Sequence, residues 1–521
     1  MNRIYNNLIN ITSLRFMIFI TIVISMYGCG GGADRNDIPV VSVNNSPGSV
    51  NNPPSTIVTP GSIVSTSVVT DGSISWEFSS SVQTGKFANG QYWVVGPMTI
   101  VEVTPSYNGR NNGFEVNPVN TISQGFDDRI RNFDSSLVPS LPFIAQPGQS
   151  LIKVVSVNAS ISCPYQSCIQ SASVLTVLSS PPPNNGANVF RPPYFGNDKT
   201  LYLTDDINFS LLPNYAPTES ALTFEQVASQ YRNVQLDHKI SWTGRSMHPI
   251  DSMPDYGSSI AKKNTEAALT LMLQGTNIEK NQAVINHVNN GIDIYHMMKG
   301  GVIWRADGGH GGGRKLPAIM AAVLLENTTM KDDLTNVNPS TFGETSGVYY
   351  SAIADNGNGK VLWGQQTMSE RKYWEMLVLD NTSRTIKDPY GQIDGGQLNS
   401  LGHHSYQYCC TSLGWDNIVT ALELMPSLRT VFNFPILKTY TDRWMTTGYY
   451  SQPDDCAPTT GVENFATDYG VVFGPDGNGG CIKDLNSGDG FGRLPQLHAT
   501  TAGQGYYGSN FAAEMKAAYL P

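Results

Sequence analysis

A chain of 521 residues with 40% hydrophobic and 10% aromatic content holds enough apolar side chain for packed cores, which excludes a disordered protein and implies two or three domains. A formal net charge of −10 excludes nucleic acid as the main partner, because binding a phosphate backbone needs a dominant basic surface. A local basic pocket for another polyanion remains compatible with that balance.

The first element is a leader. Arg3 and Arg15 precede an apolar run over 16–26 that is too short to span a bilayer comfortably, so residues 1–28 are predicted to be a signal peptide. The following Ile24-Ser25-Met26-Tyr27-Gly28-Cys29 resembles a bacterial lipobox, in which a small residue precedes a cysteine that is lipidated and becomes the new N-terminus. Cys29 is therefore the expected lipidation site, and the protein is expected to be exported and anchored to a bacterial membrane, in the periplasm or at the cell surface. Residues 29–60, rich in Gly, Asn, Pro and Ser with almost no aromatics, then form a flexible stalk.

Over 61–182 the pattern changes to short β-branched runs at 73–78, 92–95, 98–103 and 151–156, separated by Gly, Asn and Pro. Such spacing predicts an all-β module of the sandwich type. Trp76, Tyr92 and Trp93 are candidates for a sugar-stacking surface, although large aromatics mostly pack, and core positions are the expectation. Ser180-Pro181-Pro182-Pro183 and Asn184-Asn185-Gly186 mark a boundary.

Beyond residue 191 apolar residues recur at three- and four-residue intervals over 224–231, 259–273, 277–300, 316–325, 370–379, 415–424 and 511–519. Helices spaced by long loops predict a helical catalytic domain over 191–521 wound as an α/α toroid, although no self-similar period supports a repeat assignment. On the helix over 277–300, Asn286, Asp293, Tyr295 and His296 make a polar stripe that faces either a cavity or water.

Without Cys29 an even set of cysteines remains, Cys163, Cys168, Cys409, Cys410, Cys456 and Cys481, as expected for disulfides in an oxidising compartment. The short Cys163 to Cys168 loop reads as a local clip, and Cys409 and Cys410 have Cys456 and Cys481 as possible partners; the sequence does not choose among the pairings. No histidine lies at zinc-ligand spacing from these cysteines.

The segment Trp304-Arg305-Ala306-Asp307-Gly308-Gly309-His310-Gly311-Gly312-Gly313-Arg314-Lys315 lies between two helices. Its glycines let backbone approach a ligand, while His310, Arg314 and Lys315 supply titratable and cationic groups suited to a carboxylated sugar. It is not a P-loop, since Gly313 is followed by Arg314-Lys315-Leu316 in place of Lys-Ser/Thr. His310-Gly311-Gly312-Gly313 matches an esterase oxyanion loop, but the nucleophile elbow Gly-x-Ser-x-Gly is missing from the chain. A second segment, His403-His404-Ser405-Tyr406-Gln407-Tyr408-Cys409-Cys410, places a base and an acid two residues apart, on one side of an extended loop. A metal site at the paired histidines lacks a neighbouring carboxylate, and neither metal nor cofactor is expected.

The His404-Ser405-Tyr406 core resembles the His-x-Tyr element of alginate lyases, and the plan of β module plus helical toroid is similar to the alginate-lyase and heparinase-like polysaccharide lyases. The likeness is loose and spans roughly residues 200–521. It implies that His404 and Tyr406 transfer protons during β-elimination from a uronic acid. Independently of it, Arg314 suits the substrate carboxylate by its planar fork, with His310 assisting the clamp or acting as base. Lys315, His403, Trp304, Arg305, Trp242 and Arg245 complete the expected substrate-binding set, with Trp242 to His248 otherwise read as interface packing; Tyr349, Tyr350 and Trp363 are further aromatics, more simply explained by a core. The expected partners are thus an acidic polysaccharide and, through the anchor, a membrane. Two rivals remain: a glycoside hydrolase using a pair among Asp307, Glu344, Asp394 and Asp416, and a non-catalytic glycan-binding lipoprotein.

Overall fold

The computed structural model describes residues 58–160, 162–163, 167–250, 257–306, 309–352, 358–364, 407–448, 472–475, 481–484 and 502–520. The expected leader and lipobox, with Cys29, lie outside them. Alternation builds the first layer: along β2 (Ile74–Lys86), Ile74, Trp76, Phe78 and Val82 are buried while Glu77 and Gln83 are exposed, the period of a pleated strand. With it run β1 (Val64–Asp71), β3 (Tyr92–Val95), β4 (Met98–Thr104), β5 (Phe114–Val116), β6 (Phe143–Ala145), β7 (Ser150–Ser156) and β8 (Ile169–Leu178). The order is β5-β7-β8-β3-β2-β4-β6 with β1 also on β2, antiparallel except for the β3/β8 pair.

One curled eight-stranded sheet, a half-barrel, stands where two facing sheets were expected. Register shifts at Thr66/Val68 and Glu77/Phe78 interrupt the ladders where bulges add twist. The inner side closes on its own side chains, among them Trp76, Phe78, Ile100, Leu151, Leu175 and Val177. The opposite side of β7 and β8 sends Ile152, Val154, Ala172 and Val174 into the core of the helical region. Covered on both faces, these two strands are buried along most of their length, the polar Ser150, Lys153, Ser173 and Thr176 included. Trp76, Tyr92 and Trp93 are buried in the sheet, as expected of packing aromatics.

The boundary at 180–186 is packed. Trp93 Nε1 donates to Asn185 O at 3.3 Å, and Ala88 N to Val189 O at 3.0 Å. The helices that follow are α1 (Phe224–Gln230), α2 (Ser241–Arg245), α3 (Gly257–Leu271), α4 (Asn277–Lys299), α5 (Lys315–Leu324), α6 (Thr328–Thr335) and α7 (Gly343–Ser346). After the hairpin β9 (Val348–Ser351) and β10 (Lys360–Trp363) come a π-turn, Gln407–Thr411, and α8 (Ser412–Leu424), α9 (Pro426–Phe432) and α10 (Ile436–Thr447). The hairpin β11 (Val472–Pro475) and β12 (Cys481–Asp484) and a last helix, α11 (Asn510–Tyr519), complete the described elements. The helix expected over 370–379 lies outside the described residues. No helix among them is long and apolar enough to cross a membrane.

The central helix is α4, started by a capping box in which Thr276 Oγ1 accepts from Glu279 N and Glu279 Oε2 from Thr276 N. Its polar stripe faces neither cavity nor water. Asp293 pairs with the buried Arg191, Asn289 exchanges two hydrogen bonds with the Arg191 backbone, and Asn286 Nδ2 donates to Ala228 O at 2.7 Å. The stripe thereby fastens the chain leaving the sheet onto the helices.

Candidate functional site

The glycine-rich connector between α4 and α5 is held from several sides. Gly313 has φ 86°, and a Cβ there would stand 2.3 Å from Ala261 Cα, so only glycine lets the loop lie flat on α3. Asn264 Nδ2 donates to Gly313 O at 2.7 Å. From α7, the buried Glu344 accepts Gly313 N at 2.9 Å and Lys315 N at 2.8 Å, satisfying donors that the first turn of α5 leaves open. Burial pushes the Glu344 carboxyl up from its ordinary value, against the opposing pull of those amides. Gly309 packs on the π-turn: a Cβ there would meet Cys410 O at 2.8 Å, and Ser258 Oγ donates to the same carbonyl.

Facing this loop is the segment from Leu236 to His248. Leu236 and Ser241 adopt left-handed backbone at φ 60° and 53°, uncommon for side chains of their kind, and the turn they bracket carries Asp237, His238 and Lys239. Asp237 Oδ1 lies 2.8 Å from His248 Nε2 and 3.1 Å from Arg314 Nε, all three side chains buried. Burial raises the Asp237 carboxyl, but His248 and Arg314 more than reverse this and leave it below its ordinary value. Arg314 also donates through Nη1 to His310 O and Gly312 O, both at 2.8 Å. Lys239 reaches back to the sheet, donating to Asn120 O at 2.8 Å and pairing with Glu115 of β5 at 3.4 Å; burial lowers its ammonium, with Glu115 opposing.

Loop and segment enclose a cleft of about 430 Å³. Its titratable lining is Lys239, Arg245, Arg305, His310 and Arg314, and no carboxylate lines it among the described residues. Arg305 is exposed and has no ion pair or hydrogen bond among them. The half-buried Trp242 stands beside the cleft with its ring 4.7 Å from that of His310, while the guanidiniums of Arg131 and Arg245 lie 5.0 and 5.3 Å from it.

Of the residues singled out from sequence, Trp304, Arg305, His310, Arg314 and Arg245 meet at this cleft, with Trp242 behind His310. The roles shift within that set. Arg314 spends its donors on Asp237, His310 and Gly312, so it fastens the loop and leaves the exposed Arg305 as the accessible fork. Trp304 is 2% exposed, stacked on Phe342 at 5.4 Å and bonded to Asp237 O, a wall and not a platform. Lys315 turns away: its Nζ donates to Phe432 O at 2.6 Å, and burial lowers it to about 8. His403, His404 and Tyr406 lie outside the described residues, as do Asp307 and Asp394. Tyr349 and Trp363 are buried, whereas Tyr350 is exposed. Of the hydrolase carboxylates, Glu344 caps α5 and Asp416 pairs with Lys516 at 2.7 Å; neither lines the cleft. Among the described residues no group of three or more histidine, cysteine or carboxylate side chains converges as a metal cage.

Sequence reasoning missed Asp237, Lys239 and Arg131. Their signal was the charged run Asp237-His238-Lys239 just before Trp242, which only a fold brings opposite the glycine-rich loop. The Cys163 to Cys168 clip forms as expected, with Cα atoms 5.6 Å apart, and braces the same wall: Cys168 N donates to Ser246 O at 3.1 Å and Ser167 Oγ to His248 O. No family model, curated protein or solved structure matches the chain.

Proposed function

We propose that this chain is an exported, lipid-anchored enzyme that cleaves an acidic polysaccharide by β-elimination, with its helices arranged as an α/α toroid. The observation that carries the reading is the cleft lined by Lys239, Arg245, Arg305, His310 and Arg314, with no described carboxylate among its lining residues, in a chain of net charge −10. Cations gathered against the overall charge select an anionic ligand. In this mechanism Arg305 holds the uronate carboxylate, and Arg245 stabilises the enolate-like charge that develops when the C5 proton leaves. The electron pair of the broken C5–H bond forms the C4–C5 double bond, the C4–O bond breaks, and the departing oxygen takes a proton.

His310, half-buried on the cleft wall, serves as base or assists the clamp. His404 and Tyr406 remain the proposed proton-transfer pair, with His403 as a substrate contact. Supporting this, Tyr406 directly precedes Gln407, which opens the π-turn packed on Gly309. Elimination is favoured over hydrolysis because the described members of the carboxylate set, Glu344 and Asp416, serve structural partners elsewhere.

The test is incubation of purified protein with a panel of uronic-acid polymers while absorbance of the unsaturated product is followed. Growth of that chromophore is expected, with Arg305→Ala lowering kcat/KM about tenfold or more. New reducing ends without the chromophore would establish hydrolysis, and binding without any new ends would establish the glycan-binding alternative.

A further inference from the structure

Resting on the acidic-polymer reading of the cleft, we propose that the sheet module supplies a second anion subsite at Arg131, beside Trp242, so that the ligand is an acidic oligosaccharide longer than a disaccharide. Arg131 sits on a loop fastened at both sides. Gln124 Nε2 donates to Asp127 O at 2.9 Å and Ile130 O at 3.1 Å, Gln124 N donates to Asn132 O at 3.0 Å, and Asn132 Nδ2 reaches Thr243 Oγ1 of α2 at 2.7 Å. The neighbouring arginines are neutralised, Arg110 by Asp128 and Arg129 by Asp127 at 2.6 Å. Arg131 is exposed and makes no hydrogen bond or ion pair among the described residues; its contact is the Trp242 ring at 5.0 Å. A guanidinium held by a ring keeps its N–H donors for an anion.

The same ring lies 4.7 Å from His310, which lines the cleft, so Arg131, Trp242, His310 and Arg305 form a path from the sheet module into the site. Arg131 lies 5.0 Å from the Trp242 ring and that ring 4.7 Å from His310, so a single polyanion seated in the cleft can extend along this path to Arg131. A single sugar acid in the cleft would leave Arg131 unused. The sheet module thus selects for chain length, beyond any role as a spacer.

The experiment uses the full chain in mild detergent and rapid-mixing tryptophan fluorescence, which reads binding before turnover. The probes are oligouronates of two, four and six units at low salt. Wild-type affinity should rise from the disaccharide to the tetrasaccharide. Arg131→Ala should leave the disaccharide unchanged and weaken the tetrasaccharide by about fivefold to tenfold, with Arg131→Lys recovering part of the loss. Unchanged affinity of Arg131→Ala at every length, alongside loss at every length in Arg305→Ala, overturns the subsite and keeps the cleft. Wild-type protein that binds none of the oligouronates, or binds uncharged oligosaccharides equally well, overturns both. Because Arg131 is exposed, its variants should melt like wild type; a lowered melting temperature in Arg131→Ala that Arg131→Lys shares, without selective loss of the longer ligands, would reassign the residue to packing.

Discussion

At the scale of single residues, buried histidines separate structural from chemical roles. His287 on α4 has both ring nitrogens buried without a hydrogen-bond partner among the described residues and packs edge-on against Tyr231 at 5.0 Å; burial brings it down to about 4. Above pH 6.5 the ring is neutral in folded and unfolded chains alike, and its titration costs nothing. Between 6.5 and 4 the unfolded chain takes up a proton that the folded one refuses, so stability falls with pH across that window and levels off below it. The loss amounts to on the order of 3 kcal/mol. His287→Leu should flatten that part of the acid limb in urea melts at pH 7, 6 and 5, and an unchanged slope would show that the ring gains a proton without opening the fold. His310 differs in being half-buried on a cleft wall against Trp242, where its ring is accessible to a ligand.

At the scale of elements, α4 and α5 meet where Gly291 removes the side chain. A Cβ there would stand 2.2 Å from Pro317 O and 2.7 Å from Ala321 Cβ, contacts with a backbone atom and a helix that cannot turn aside. Alanine favours a helix interior over glycine by about 1 kcal/mol, but overpacking of this kind costs about 1–3 kcal/mol or more, so Gly291→Ala should destabilise. A raised melting temperature in the variant would contradict the packing. Several helices were readable: α4 was expected over 277–300 and runs Asn277–Lys299, because its apolar spacing is a local signal, whereas α2, α6, α9 and α10 were not expected. The cleft was half readable. Glycines, aromatics and cations in the 304–315 run suggest a ligand-facing loop, and Trp304, Arg305, His310, Gly311 and Arg314 of that run line the cleft. What Arg314 and Lys315 bond to depends on Asp237 and Phe432, far away in the chain, so no local pattern separates a clamp from a fastening.

At the scale of the whole molecule, the sheet and the helices share one core. Ile152, Val154, Ala172 and Val174 of the sheet pack with the residues of α1, α3 and α4, and the Asp71–Arg232 pair at 2.5 Å crosses the same junction. Sequence placed a boundary near 180–186 from its prolines, and a proline run reads alike whether it is packed or free. A sandwich was expected because alternation reports which faces are buried and not what covers them; here the sheet curls over its own side chains and lends its other face to the helices. A fragment of residues 58–190 should therefore lack near-ultraviolet circular dichroism and aggregate, and the full chain should melt in one transition by both far-ultraviolet and tryptophan signals. A soluble fragment with a transition of its own would sink that expectation. Glu344 has a wider consequence. By occupying the amides at the start of α5, it plugs from within a place where backbone would have gripped an anion regardless of its shape. On the proposed reading of the cleft, selectivity then rests with replaceable side chains on its rim, and a change of ligand requires only point substitutions there while the supporting loop stays as it is.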